Sequence, residues 1–314
     1  MAVNKEAIIV NAPALSTMWM QRRHSHVREF IEAGKRLGFR KFELGHVVRP
    51  EMLDGVTRRD AEFPSLHAPC PTTVGLGGQQ GLLLSALDKD LRLAAVGMTI
   101  RTLEVAERLG AGAVVVHMGR VDVTAGRENV QELRRLYIHQ QEDSPLFELL
   151  RKQAMEQRAA HASAHLDAAR RSLEVLADEA EKRGLRLGLE NRDSYYQMPT
   201  LDEMQILLSD VDPAVAGYWH DVGHAQILDR LGFIPHRAWL DAFRDRLVGI
   251  HFHDALGVRD HLVCGLGEAD WSMIKGYLTP ATLRTCEFDW YFEGEHLWQG
   301  VEFLEGAGCL SSAD

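Results

Sequence analysis

One unit recurs along the chain and restricts its fold more than any other feature. A helical pattern ends in basic residues and a glycine, and a short strand-like run follows that meets an ionisable residue. Arg36-Leu37-Gly38 leads into Phe39–Leu44, which contains Glu43. Arg108-Leu109-Gly110 leads into Ala113–Val116 and then His117, and Lys182-Arg183-Gly184 leads into Leu185–Leu189 and then Glu190. Basic residues suit the negative end of the helix dipole, and glycine takes the left-handed position just past it. The apolar run that follows, clearest at Ala113–Val116, reads as a strand buried on both faces, as in a parallel sheet. In the first unit Arg40 and Lys41 interrupt it.

Further strands are predicted at Ala7–Val10, Pro64–Leu66, Val215–Trp219, Leu247–Ile250 and Leu283–Cys286. Helices fit between them. Thr200 and Glu203 form a capping box that opens Leu201–Leu208. Ser144 followed by Pro145 opens a long Ala/Glu/Arg-rich helix to about Lys182. Leu83–Leu109 reads as one or two helices with Gly97 as a break, and Trp239–Arg246 and Trp271–Tyr277 fill the later gaps. Eight strands alternating with helices mean an α/β protein with a parallel sheet. Over 314 residues they fit a single-domain (β/α)8 TIM barrel spanning 1–314 better than an open doubly wound sheet. The open sheet would want a GxGxxG phosphate loop where Asn11-Ala12-Pro13 stands. The longest irregular insert is at about 119–145. Its charged mix reads as a lid, as a subunit contact of a homo-oligomer, or as a solvated loop-helix.

With 46% hydrophobic and 25% charged residues the chain is not intrinsically disordered. A net charge of −10 argues against a nucleic-acid partner and against anionic membrane surfaces. No apolar run approaches the ~18 residues of a membrane span, and Met1–Val10 lacks the apolar core of a signal peptide. Cys70, Cys264, Cys286 and Cys309 form no CxxC pair and read as reduced thiols. A cytoplasmic protein is the expectation.

Fifteen histidines stand beside only seven lysines, and many fall where the strands end. The second strand ends near Glu43 and His46, the third at His67, the fourth at His117. The fifth gives Glu190-Asn191-Arg192 and the sixth His220-Asp221 with His224. The seventh gives His251, His253 and Asp254, then Asp260-His261, and the eighth gives Glu287. In a barrel these ends form the active-site face. So many ionisable groups at one mouth would be costly without a cation. A mixed histidine–carboxylate set suits Zn²⁺, Mn²⁺ or Fe²⁺ better than Mg²⁺ or Ca²⁺.

At these residues the chain resembles the xylose isomerase-like TIM-barrel superfamily of sugar (phosphate) isomerases and epimerases, inosose dehydratases and endonuclease IV enzymes. The resemblance rests on Leu189-Glu190-Asn191, on His220-Asp221-Val222-Gly223-His224, and on His251-Phe252-His253-Asp254 followed by Asp260-His261 and Gly265-Leu266-Gly267. It implies one divalent ion, Zn²⁺ or Mn²⁺, held by Glu190, Asp221, His251 and Glu287. It places His224 beside the metal, and His67, His117 and His261 in the substrate pocket. The implied activity is isomerisation or epimerisation of a small sugar, sugar phosphate or related polyhydroxy carbonyl compound, by proton transfer through a metal-stabilised enediolate. Glu190 and Glu287 are suited to be base and acid, with Glu43 and Arg192 also meeting substrate. The alternatives are a zinc phosphodiesterase of the endonuclease IV type and an inosose-type dehydratase. Against the first, Cys70 replaces a DNA-probing tyrosine, Arg259 stands where an aspartate ligand is expected, and Asn11-Ala12-Pro13 replaces a His-Val-Ser element. A non-catalytic sensor barrel is a further alternative. Arg259 is another candidate for holding an anionic group, and Trp219, Trp290, Tyr291 and Trp298 are candidates for stacking on a sugar.

Overall fold

Each of the three helix-to-strand turns closes on a left-handed glycine, as its residues require. Gly38, Gly110 and Gly184 take φ of 97°, 75° and 64°, a region that glycine enters without a Cβ penalty. The computed structural model of the chain describes residues 12–73 and 83–310. Among these, one sheet holds β1 (Ala14–Ser16), β2 (Lys41–Glu43), β3 (Ser65–His67), β4 (Ala113–Val116), β5 (Arg186–Glu190), β6 (Ala216–Asp221), β7 (Leu247–Phe252) and β8 (Leu283–Cys286). Its neighbours are all parallel, in the order β2-β1-β8-β7-β6-β5-β4-β3. Parallel bridges Lys41–Glu62 and Leu44–Leu66 join the two ends, so the sheet is a nearly closed barrel.

Around it lie α1 (Val27–Arg36), α2 (Lys89–Leu109), α3 (Thr124–Ile138), α4 (Pro145–Lys182), α5 (Leu201–Ser209), α6 (Val222–Arg230), α7 (His236–Phe243), α8 (Trp271–Lys275) and α9 (Gly294–Gly306). The predicted caps are present. Ser144 Oγ accepts from Phe147 N at 3.2 Å, and the Thr200–Glu203 capping box opens α5. Among the described residues no helix is long and apolar enough to cross a membrane.

The structure corrects the sequence reading at four places. The expected strand Ala7–Val10 lies outside the described residues, and the barrel position beside β2 and β8 is filled by Ala14–Ser16. Asn11-Ala12-Pro13 therefore precedes the first barrel strand instead of following it. Leu83–Leu109 is neither one full helix nor two. α2 starts at Lys89 and passes Gly97 without a break, because Asp88 caps it at Asp90 N and Leu91 N. The stretch at 119–145 is not irregular. Gly119–Arg120 pairs antiparallel with Gln197–Met198, and α3 follows. Trp219 is not at the mouth but fully buried in the barrel floor, where its indole occupies space left by Gly188 and Gly249 on the adjoining strands. A Cβ on Gly188 would approach the ring to 2.7 Å.

Candidate active site

Strand alternation decides which side chains enter the barrel. Above the Trp219 floor, β5, β6, β7 and the end of β8 raise Glu190, Asp221, His251 and Glu287 into one buried cluster. Each brings a donor atom to a common point, all four within 4.8 Å of one another. Register explains the meeting: Asp221 is aligned with His251, and His251 with Thr285, two residues before Glu287.

His251 is the hub. Its Nδ1 lies 3.1 Å from Glu190 Oε1, 3.1 Å from Glu287 Oε2 and 3.5 Å from Asp221 Oδ2. Its Nε2 lies 2.9 Å from Glu43 Oε1. A carboxylate accepts, so Nε2 carries a proton and Nδ1 is the nitrogen turned to the three carboxylates. One Nδ1–H cannot satisfy three carboxylates, whereas one cation can. A ligating histidine typically donates its other N–H to a carboxylate in this way. The donor set therefore fits a divalent ion with mixed nitrogen and oxygen ligands. Burial opposes a charge on His251, yet Glu287 and Glu43, with hydrogen bonds to Asp221 and Glu190, raise its pKa well above the ordinary value.

Glu43 is placed deeper than expected. It is fully buried, its Oε2 accepts from Ser65 Oγ at 2.5 Å and Thr285 Oγ1 at 3.2 Å, and its Oε1 holds His251. It lies beneath the cluster, against His251.

The expected pocket histidines do come together. His67 Nε2 is 3.3 Å from Glu190 Oε2, and His117 Nε2 is in closer contact with the same oxygen. Arg192 Nη1 lies 3.2 Å from that oxygen and against His117 Nε2. Burial, then the Arg192 charge, holds the His117 pKa well below its ordinary value. Burial raises the pKa of Glu190, but His117 above all, with hydrogen bonds from His117, His251 and His67, brings it well below the carboxylate range. His224 stands beside the cluster: its Nδ1 is 3.0 Å from Asn191 O and 3.4 Å from Asp221 Oδ1. His261 is on an antiparallel hairpin, Asp254–Leu256 with Arg259–Leu262, that overhangs the mouth. Its Nδ1 is 3.2 Å from Asp260 Oδ1, and against the effect of burial that aspartate raises its pKa to about 10.

Some residues play parts that the sequence reading did not assign. Asn191 clamps the end of β6, donating to Asp221 O at 3.0 Å and accepting from Asp221 N at 2.8 Å. His253 Nε2 is 2.9 Å from Asp221, and its Nδ1 accepts from His261 N at 3.0 Å. With both nitrogens engaged, His253 positions Asp221, although it lies near Glu287 and His261. Its spacing of two from His251, one residue past the end of β7, was the available signal. His220 points away from the cluster, to Tyr218 and His236 behind the barrel wall. Asp254 anchors the loop through Gly265 N, Ala269 N and Trp271 Nε1. Trp290 and Tyr291 follow β8 and carry Arg22 and Arg259 over their rings, and Trp298 packs at Gly38.

A nearly closed parallel β/α barrel with a histidine–carboxylate cluster at the C-terminal ends of its strands defines a class of proteins. The chain belongs to the xylose isomerase-like TIM barrel family, whose model matches residues 31–288. No curated protein matches it in sequence. Among solved structures it is similar to a D-tagatose 3-epimerase-like protein, with 17% identity, TM-score 0.68, and 95% of this chain and 97% of that one covered. It is also similar to a D-psicose 3-epimerase from Clostridium cellulolyticum solved with D-tagatose (13%, 0.64, 96% and 99%). A third is the 3-keto-D-glucoside 4-epimerase from E. coli (13%, 0.62, 93% and 98%).

Proposed function

We propose that this protein is a metal-dependent isomerase or epimerase of a small sugar, sugar phosphate or related polyhydroxy carbonyl compound. Glu190, Asp221, His251 and Glu287 would hold one divalent ion, Mn²⁺ or Zn²⁺. When bound, the ion supplies a Lewis acid that polarises a substrate carbonyl or hydroxyl oxygen. The observation that carries the reading is how Glu190 and Glu287 diverge. Each turns one oxygen to His251 Nδ1. The other oxygen of Glu190 faces His67 and His117, whereas that of Glu287 faces Ser16 at 3.4 Å. A carbon held between them is flanked by a carboxylate on each side, one to take its proton and the other to return one. His67, His117 and Arg192 would hold substrate hydroxyls on the Glu190 side, His261 on the Glu287 side, and His224 beside Asp221. The epimerases named above act on compounds of this kind, which supports the choice. The four cysteines are free and buried, which supports a cytoplasmic location.

A second reading, the zinc phosphodiesterase, is favoured by one observation: His67, His117 and Glu190 also bring three donor atoms together. One experiment separates the two. The purified protein, loaded with Mn²⁺, is incubated in D₂O with a panel of free and phosphorylated ketoses and followed by NMR. Deuterium should enter at the carbon beside the carbonyl. Glu190→Gln and Glu287→Gln should each slow this by about 10²–10⁴, the usual worth of a positioned acid or base. No exchange on any sugar, with cleavage of an abasic-site phosphodiester, would transfer the assignment to the second reading.

A further inference from the structure

The group formed by His67, His117 and Glu190 has the composition of a second metal site, and it shares Glu190 with the first. Two of its three donors already face a cation. Arg192 Nη1 contacts His117 Nε2 and lies 3.2 Å from Glu190 Oε2, the oxygen on which both histidines converge. The Arg192 side chain is 14% exposed, so its charge is held in the pocket and not in bulk water.

We propose that Arg192 is the second cation of this pocket, that its guanidinium stands against His117 and Glu190 where a second divalent ion would bond them, and that it thereby keeps the His67–His117–Glu190 group free of metal. A divalent ion bonded to His117 Nε2 would lie against a guanidinium nitrogen, and the two cations exclude each other. The consequence is for reaction class. A pair of ions about 3.5–4 Å apart can stabilise both the attacking and the leaving oxygen of a phosphoryl displacement. With Arg192 in place, the pocket keeps one Lewis-acid position and a fixed N–H donor beside Glu190. That suits oxygen atoms of a polyhydroxy carbonyl compound better than hydrolysis of a diester.

This inference rests on the proposed function for its first metal, and metal counting separates the two. Wild type, Arg192→Ala, and Arg192→Ala/His117→Ala are saturated with Mn²⁺, freed of unbound ion, and assayed for ions per chain. One, two and one are expected. Two ions in wild type, or one in Arg192→Ala, would overturn the role given to Arg192 and leave the first site standing. No ion in wild type would defeat the proposed function; Arg192 would then stand or fall on whether Arg192→Ala gains an ion that His117→Ala removes. Should Arg192→Ala not fold, electron paramagnetic resonance of Mn²⁺-saturated wild type decides the matter. An isolated-ion spectrum is expected, and an exchange-coupled pair would overturn the proposal.

Discussion

A histidine offers a metal a well-aimed lone pair only when its other nitrogen is held. Glu43 does this for His251, and Ser65 and Thr285 in turn hold Glu43. Glu43→Gln keeps the shape and removes the charge that fixes which nitrogen carries the proton. We expect Mn²⁺ affinity to fall about 10–100-fold, the usual effect of losing such a partner, with the far-ultraviolet circular dichroism unchanged. Affinity within a factor of about two of wild type by calorimetry would show that Glu43 does not orient His251. The sequence pointed to Glu43 as a strand-end carboxylate but not to its depth. Whether a strand-end carboxylate faces the pocket or lies beneath it depends on the shear of the barrel, which no local pattern reports. The same holds for Asn191, whose amide closes on a strand 30 residues away.

Elements were legible where the chain punctuates them locally. Ser144-Pro145, the Thr200–Glu203 box and the glycines at 38, 110 and 184 each mark a boundary found in the structure. β1 was not legible, because three residues, Ala14-Leu15-Ser16, carry no readable period and are a strand only by pairing with β2 and β8. α3 could have been read. Val130, Leu133 and Leu136 recur every three residues and are all buried, under a charged face that masked them. Beyond local signals lies the tie between α4 and α5. Arg158 donates to both oxygens of Glu203, at 2.7 and 2.6 Å, and to Gln197 O at 3.0 Å, with Arg158 and Glu203 both buried. Glu203 also accepts from Thr200 N at 2.8 Å. Glu203→Ala would remove the cap and strand a buried guanidinium. A loss of about 3–5 kcal/mol is expected, as for other buried pairs broken on one side. Denaturant unfolding measures it; a loss under about 1 kcal/mol, the value of a surface pair, would mean that Arg158 finds water instead.

The whole molecule links metal, proton and stability through the one cluster that four strands share. Glu190, Asp221 and Glu287 are buried together. Without a metal, the charge facing them from the hub is the proton on His251, whose pKa Glu287 and Glu43 raise well above its ordinary value despite burial. That proton stabilises the metal-free fold at any pH below the raised value. A divalent ion bonding Nδ1 must displace it, since metal ligands bind deprotonated. Uptake of Mn²⁺ at pH 7 should therefore release about one proton per ion, read by calorimetry in buffers of different ionisation enthalpy. An ion that binds only the folded barrel adds about 2.7 kcal/mol at a hundred times its dissociation constant, which for a chain of this size is roughly 5 °C in Tm. Because protons compete for the same nitrogen, the gain at fixed Mn²⁺ should be larger at pH 8 than at pH 6. Equal gains at both values with no proton released would mean that the ion binds away from His251. No gain at either pH would mean that the four strand ends hold no metal at all.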